Sequence, residues 1–160
     1  MKSFILSIML FSALFSGSAN AAVKVYKGVS RYSSDVICTV REAKVYKKTS
    51  SYSSDVVCNI RDSRIYKGTS SYSSDVLYNI RDGKVYRGTS SYSSDVLMTI
   101  RDGKVYKGNS NYSSDVICTI RDGKVYKGNS SYSSDILFSI DGLLTIEQFV
   151  AVFHCVNYVW

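Results

Sequence analysis

The chain has one histidine (His154), one tryptophan (Trp160) and no Cys-x-x-Cys pair among its four cysteines. A zinc site of closely spaced thiolates and imidazoles therefore has no support, and no metal or other cofactor is expected. The chain also lacks an apolar run of the roughly 20 residues that a membrane helix needs. The apolar stretch at residues 4–15 is too short, but its flanks are informative. Lys2 precedes it, and small residues ending in Ala19-Asn20-Ala21 follow. That order is the grammar of a secretory signal, with residues 1–21 removed and the mature protein exported, periplasmic or secreted. No cysteine follows the small-residue site, so a lipid anchor is not indicated.

Acid is also in short supply, with 13 Asp and Glu against 20 Lys and Arg and a formal net charge of +7. A basic exported protein meets anionic partners, here an envelope polysaccharide, lipid head groups or an acidic protein surface. Nucleic acid is excluded by compartment rather than by charge.

What the chain does have is repetition. A segment of 20 residues, typified by RDGKVYRGTSSYSSDVLMTIRD at 81–102, recurs in six copies centred on Tyr32, Tyr52, Tyr72, Tyr92, Tyr112 and Tyr132. Each copy holds two short runs rich in Val, Ile and Tyr, too short for helices and suited to strands. The junction Arg-Asp-Gly-Lys at 81–84, 101–104 and 121–124 suits a two-residue type I′ hairpin, whose central positions both need positive φ. That turn sets Ile80 opposite Val85 and Asn79 opposite Tyr86. The first two junctions, at 41–44 and 61–64, lack glycine and are expected to be strained or differently shaped. The last copy is one residue short and loses its arginine.

Strict alternation places Val76, Tyr78, Ile80 and Val85 on one dry face. Its first column is Val36, Val56, Val76, Val96, Val116 and Ile136; its third runs from Val40 to Ile140. One hairpin cannot bury such a face, so neighbouring copies must share a core. The hairpins stack either as an open solenoid or as a closed ring, and closure is favoured because it removes exposed sheet edges. The expected fold is thus all-β over residues 22–142, a flower- or barrel-like ring of six hairpins. Residues 143–160 belong to the same domain. Thr145 and Gln148 form a capping-box pattern that starts a helix. Apolar residues surround that helix nearly completely, which points to burial as a plug or lid covering the apolar end of the ring. The rival is a hydrophobic tail that grips a partner chain.

The phrase KVYKGNSSYSSDILFSIDG followed by LTIEQFV resembles bacterial exported short-repeat proteins of the β-flower type, over residue 23 to about residue 152. The resemblance implies hairpins arranged around an axis and supplies no catalytic residues. The 20-residue hairpin repeat is also similar to that of choline-binding cell-wall modules, which form cation cages from tryptophan and tyrosine. Here the only tryptophan lies outside the array and the repeats are basic, which speaks against choline.

Three polar columns are candidates for function. The loop tyrosines Tyr32, Tyr52, Tyr72, Tyr92, Tyr112 and Tyr132, with Asp35, Asp55, Asp75, Asp95, Asp115 and Asp135, would form a ring that stacks on and hydrogen-bonds sugars. Their structural reading is that each aspartate fixes its loop through local hydrogen bonds while the tyrosine packs on its neighbour. Arg41, Arg61, Arg81, Arg101 and Arg121 form a basic rim that either captures an anionic partner or is a solvated charge ladder with acids interposed. Four cysteines in an oxidising compartment invite disulfides, with Cys155 in reach of the column Cys38, Cys58 and Cys118 if the helix enters the ring. That column also holds Tyr78, Met98 and Phe138, so cysteine there serves as a small apolar residue. His154 is expected to be packed rather than reactive. Repeated columns lack the asymmetric roles of an active site, so no catalytic residue is assigned. The expected protein is a non-enzymatic binder of envelope glycans or an anionic surface. The alternative is a structural or interaction protein of inhibitor or immunity type, using an irregular patch at Arg31, Lys48 and Asn111.

Overall fold

The computed structural model describes residues 21–159, and side chains up to Asn157. The expected signal falls almost wholly on residues 1–20, outside the described residues. Twelve strands follow in order: β1 (Val23–Lys27), β2 (Val36–Arg41), β3 (Lys44–Lys47), β4 (Val56–Arg61), β5 (Arg64–Lys67), β6 (Val76–Arg81), β7 (Lys84–Arg87), β8 (Val96–Arg101), β9 (Lys104–Lys107), β10 (Val116–Arg121), β11 (Lys124–Lys127) and β12 (Ile136–Asp141). A single helix, α1 (Ile146–Val159), ends the described chain.

All neighbouring strands are antiparallel, and β1 pairs with both β2 and β12, closing the barrel. The ring is therefore closed, with no free edge to protect. Five hairpins have local turns; the sixth is assembled from the two ends of the array, β12 and β1. Its seam is fastened by Ser139, whose hydroxyl donates to the Gly28 carbonyl. Equivalent side chains tie other repeats to the loops that follow them. Thr39 donates to the Lys48 carbonyl at 2.6 Å, and Thr99 to Gly108 at 2.8 Å.

The hairpin register is the one the Asp-Gly turns dictate: Ile80 lies opposite Val85 and Asn79 opposite Tyr86. Asp82 and Gly83 both have positive φ, as a type I′ turn requires. A Cβ on Gly83 would lie 2.7 Å from the Ile100 carbonyl oxygen, so this position is closed to larger residues by contact as well as by φ. At the glycine-free junctions, Asp62 and Ser63 take the same left-handed pair of conformations, whereas Ala43 leaves that region and only Glu42 keeps it.

One expectation fails. Between hairpins the register shifts, so that Tyr66 pairs with Val76 while Ile65 pairs with Tyr78. Leu77 is the extra residue of a bulge, repeated between the other hairpins. The bulge reverses the alternation, so the first column (Val36, Val56, Val76, Val96, Val116, Ile136) does not face the lumen with Ile80. It shares the outer face with tyrosines such as Tyr66. The lumen is lined instead by the columns of Cys38, Val40 and Val45 and their equivalents.

The helix fills that lumen. Phe149 to Val156 are all buried, and α1 packs against β2 to β5. It is a plug, and the tail reading is set aside because its apolar surface is already covered. The capping box forms as expected: the Gln148 N–H donates to Thr145 Oγ1 at 3.1 Å, and the Thr145 N–H donates to Gln148 Oε1 at 3.0 Å. Gln148 Nε2 also donates to the Glu42 carbonyl at 2.9 Å, and the Ser63 hydroxyl donates to Glu147 at 3.4 Å. The two glycine-free turns are therefore the two on which the helix start docks.

Candidate functional site

Each loop begins with a reversal that a left-handed residue permits, Gly28 in the first loop, Lys48 in the second and Gly68 in the third. The following serine organises the rest. In every copy its hydroxyl donates to the aspartate five residues on, at 2.5–2.6 Å (Ser30–Asp35, Ser50–Asp55, Ser70–Asp75, Ser90–Asp95, Ser110–Asp115, Ser130–Asp135). The same oxygen accepts the backbone N–H of the tyrosine at 3.1–3.2 Å. The aspartate N–H then donates to the tyrosine carbonyl at 3.0 Å, closing a single 3₁₀ turn such as Ser73–Asp75. The aspartates thus perform the structural role: one carboxylate oxygen of each is committed to its own loop.

The tyrosines do not follow the structural reading. Tyr32, Tyr52, Tyr72, Tyr92, Tyr112 and Tyr132 are 71–76% exposed, instead of being packed on a neighbouring loop. They stand at equivalent points around the barrel on a backbone held by three local hydrogen bonds. A second tyrosine column (Tyr26, Tyr66, Tyr86, Tyr106, Tyr126) is buried on the outer face.

Three arginines of the rim lie over tyrosines of this column or its half-buried member Tyr46. Arg41, Arg101 and Arg121 place their guanidinium carbons 5.7, 5.3 and 5.0 Å from the ring centroids of Tyr46, Tyr106 and Tyr126. Cation–π stacking therefore occupies these arginines, worth about 0.5–1 kcal/mol each at exposed sites. Of the acids that could be interposed, the turn acids take the role at two junctions: Arg101 and Arg121 approach the next residue, Asp102 and Asp122, at 3.7 and 4.0 Å. Asp141 takes the place of the missing sixth arginine. Arg31 compensates from the first loop, 5.6 Å over Tyr26 and 3.7 Å from Asp141.

The repeats meet the helix at the unrepeated residues. His154 is buried, and its Nδ1 shares a 2.8 Å hydrogen bond with the Tyr78 hydroxyl. Burial lowers its pKa below the ordinary 6.5. The unfolded chain takes up this proton near pH 6.5 and the folded chain only at lower pH. Stability present above 6.5 is therefore lost as pH falls through that window. Thermal melts should show a decline in stability as pH falls from about 7.5 to about 5 that His154→Gln removes; an identical decline in both proteins would assign it elsewhere.

All four cysteines are free thiols, so the structure forms none of the disulfides the sequence invites. Cys155 does reach the barrel column: a hydrogen bond to Cys155, with burial, holds the Cys38 thiol far above its usual range. Burial pushes Cys58 and Cys118 up to about 12. Such thiols are inert packing groups. Among the described residues no cluster of His, Cys, Asp or Glu could hold a metal, and no helix is long and apolar enough to cross a membrane. A cavity of about 130 Å³ lies between the start of α1 and the turn ends of β8, β10 and β12, lined chiefly by Ile100, Ile120, Ile140, Leu144, Ile146 and Phe149. Its walls carry no converging polar groups.

A closed ring of six repeats around a helix matches a family model for 6-fold beta flower proteins, over residues 25–153. The chain belongs to the 6-fold beta flower family. The matched region runs from the seam strand β1 to the buried middle of α1. No curated protein and no solved structure matches the chain.

Proposed function

We propose that this beta flower protein is a non-enzymatic, exported binding protein that presents its ring of loop tyrosines to envelope glycans. The observation that carries this reading is the exposure of all six tyrosines on loops too well bonded to collapse over them. An exposed aromatic face at fixed orientation suits the apolar face of a sugar ring, and tyrosine gives up little conformational freedom on binding. Six equivalent faces suit a polymer, because weak contacts multiply when they are tethered. The basic balance of the chain favours an anionic glycan or surface, with the arginine rim as a long-range attraction. A protein-interaction patch at Arg31, Lys48 and Asn111 has less support, since Arg31 is engaged by Tyr26 and Asp141.

The test is binding of the purified protein to isolated envelope polysaccharides at low and moderate salt, beside Tyr92→Ala/Tyr112→Ala. Loss of affinity by about tenfold in the double variant, largely insensitive to salt, is expected. Binding that salt abolishes and the tyrosines do not affect would reduce the interaction to charge. Absence of binding in both conditions would end the glycan reading.

A further inference from the structure

The inward alternation that buries Val25, Val45, Ile65, Val85, Val105 and Val125 continues two residues further along each of these strands. The residues there are Lys27, Lys47, Lys67, Arg87, Lys107 and Lys127. Their strand partners are Phe138, Cys38, Cys58, Tyr78, Met98 and Cys118, all lumen-facing. Directly opposed residues of an antiparallel pair share a face. All six cations are exposed, and they sit where each strand gives way to a tyrosine loop. They therefore form a ring on the inner lip of the loop end, away from the turns that carry the arginine rim. Lys47 is close enough for its charge to act on Cys155 near the end of α1, which places it at the lumen.

The fold alone does not account for this ring. Six like charges around one opening repel and lower stability. The C-terminal end of α1 faces them and has no basic residue in its own last turn. A helix end supplies only about half a negative charge, too little to balance Lys47, Lys67, Arg87, Lys107 and Lys127. The loop aspartates at the same end have one oxygen bound by serine. Lys47, Lys67, Arg87, Lys107 and Lys127 make no ion pair within 4.0 Å among the described residues. The opening is also uneven. Because α1 leans on β2 to β5, Ile117 and Leu137 remain 36% and 40% exposed on the opposite side, whereas the equivalent Ile37 is buried.

We propose that this mouth binds a ligand bearing closely spaced phosphate groups, seated on the side of Arg87, Lys107 and Lys127. Five of the six cations are lysines, which bind phosphate as mobile point charges without a fixed fork geometry, and adjacent phosphate groups concentrate more charge in one place than carboxylates spread along a carbon chain. The site does not use the tyrosines and so goes beyond the glycan reading.

Inorganic tripolyphosphate, titrated calorimetrically into the full chain at low salt, tests it. One molecule should bind per barrel. Lys107→Gln/Lys127→Gln should weaken it about tenfold, while Arg101→Gln/Arg121→Gln, with the same loss of charge, should change it less than about twofold. The lysine variant should melt at or above the wild-type temperature, since it relieves repulsion. Pyrophosphate should also bind, and citrate, of charge comparable to pyrophosphate, should bind more weakly than it. Co-sedimentation with phosphatidylglycerol but not phosphatidylcholine vesicles would identify a lipid head group as the source; binding of soluble tripolyphosphate alone would identify a soluble phosphate. Equal losses in the two double variants, citrate binding equal to that of pyrophosphate, several molecules bound per barrel, or no binding would overturn the proposal. Tyr92→Ala/Tyr112→Ala should bind tripolyphosphate as the wild type does.

Discussion

Val152→Asp should abolish the cooperative melt of this protein or lower its Tm by tens of degrees. Val152 is completely buried in the middle of α1, inside a lumen lined by valine, isoleucine and cysteine. An aspartate there has no cation within its own layer and cannot reach water. Burying an unpaired carboxylate costs roughly 4–5 kcal/mol or more, against a total stability of about 5–15 kcal/mol for a domain of this kind. Val152→Ala, which leaves only a small cavity, should cost about 2 kcal/mol and keep a sharp transition. Asn157→Asp, on the exposed part of the same helix, should leave the melt nearly unchanged. Circular dichroism across the three variants is the measurement. A normal melt for Val152→Asp would mean that the helix leaves the lumen at little cost, and the plug would no longer be part of the folded barrel.

Val25→Pro should open the ring. Val25 pairs with Ile140 on one side and Cys38 on the other, at the seam between the two ends of the array. Proline there removes a ladder N–H and its ring displaces the neighbouring strand, at a cost of about 3 kcal/mol or more. The two strands next to β1 would then present unpaired edges, which invite pairing with other molecules. Size-exclusion chromatography should show concentration-dependent oligomers in place of a single species. An unchanged monomer with wild-type stability would show that β1 does not hold the ring closed. The chain contains no proline at all, as suits a sheet in which every strand has two partners.

The hairpin register, the capping box and the closed ring were legible because each depends on neighbouring residues or on a pattern repeated six times. The bulge was not read, although the consecutive apolar residues Val76-Leu77-Tyr78 break strict alternation and mark its place. Missing it put the first valine column on the wrong face. The inner cation ring is equally legible in principle, since Lys27 lies two residues beyond Val25 and so on the same face of the strand. Of the two roles the sequence offers the loop aspartates, sugar binding and loop holding, the second is the legible one, because a serine hydroxyl five residues away is a local partner. The exposure of the loop tyrosines was not legible. Nothing in SYSSD says whether its aromatic ring folds down or out.

The departures from repetition carry their own meaning. Cys38 and Cys58 are small where Tyr78, Met98 and Phe138 are large, and α1 lies against β2 and β4, the strands bearing the small residues. Small side chains let the helix approach on one side while Tyr78, Met98 and Phe138 fill much of the rest, as dense packing requires; Cys118 on β10 is the exception, a small residue away from the helix. Read in one dimension these substitutions look like drift within a column; around an off-centre helix they are complementary volumes.

Closure also limits how such a chain can change length. An open repeat array can gain or lose a unit by duplication or deletion, because each unit touches only its neighbours. Here a seventh unit would add two strands to the circumference and widen the lumen around a helix of fixed girth. The number six is set jointly by the ring and by the diameter of one α-helix. Variation in this lineage should therefore accumulate in loop sequences and side-chain sizes, while the count of units stays fixed.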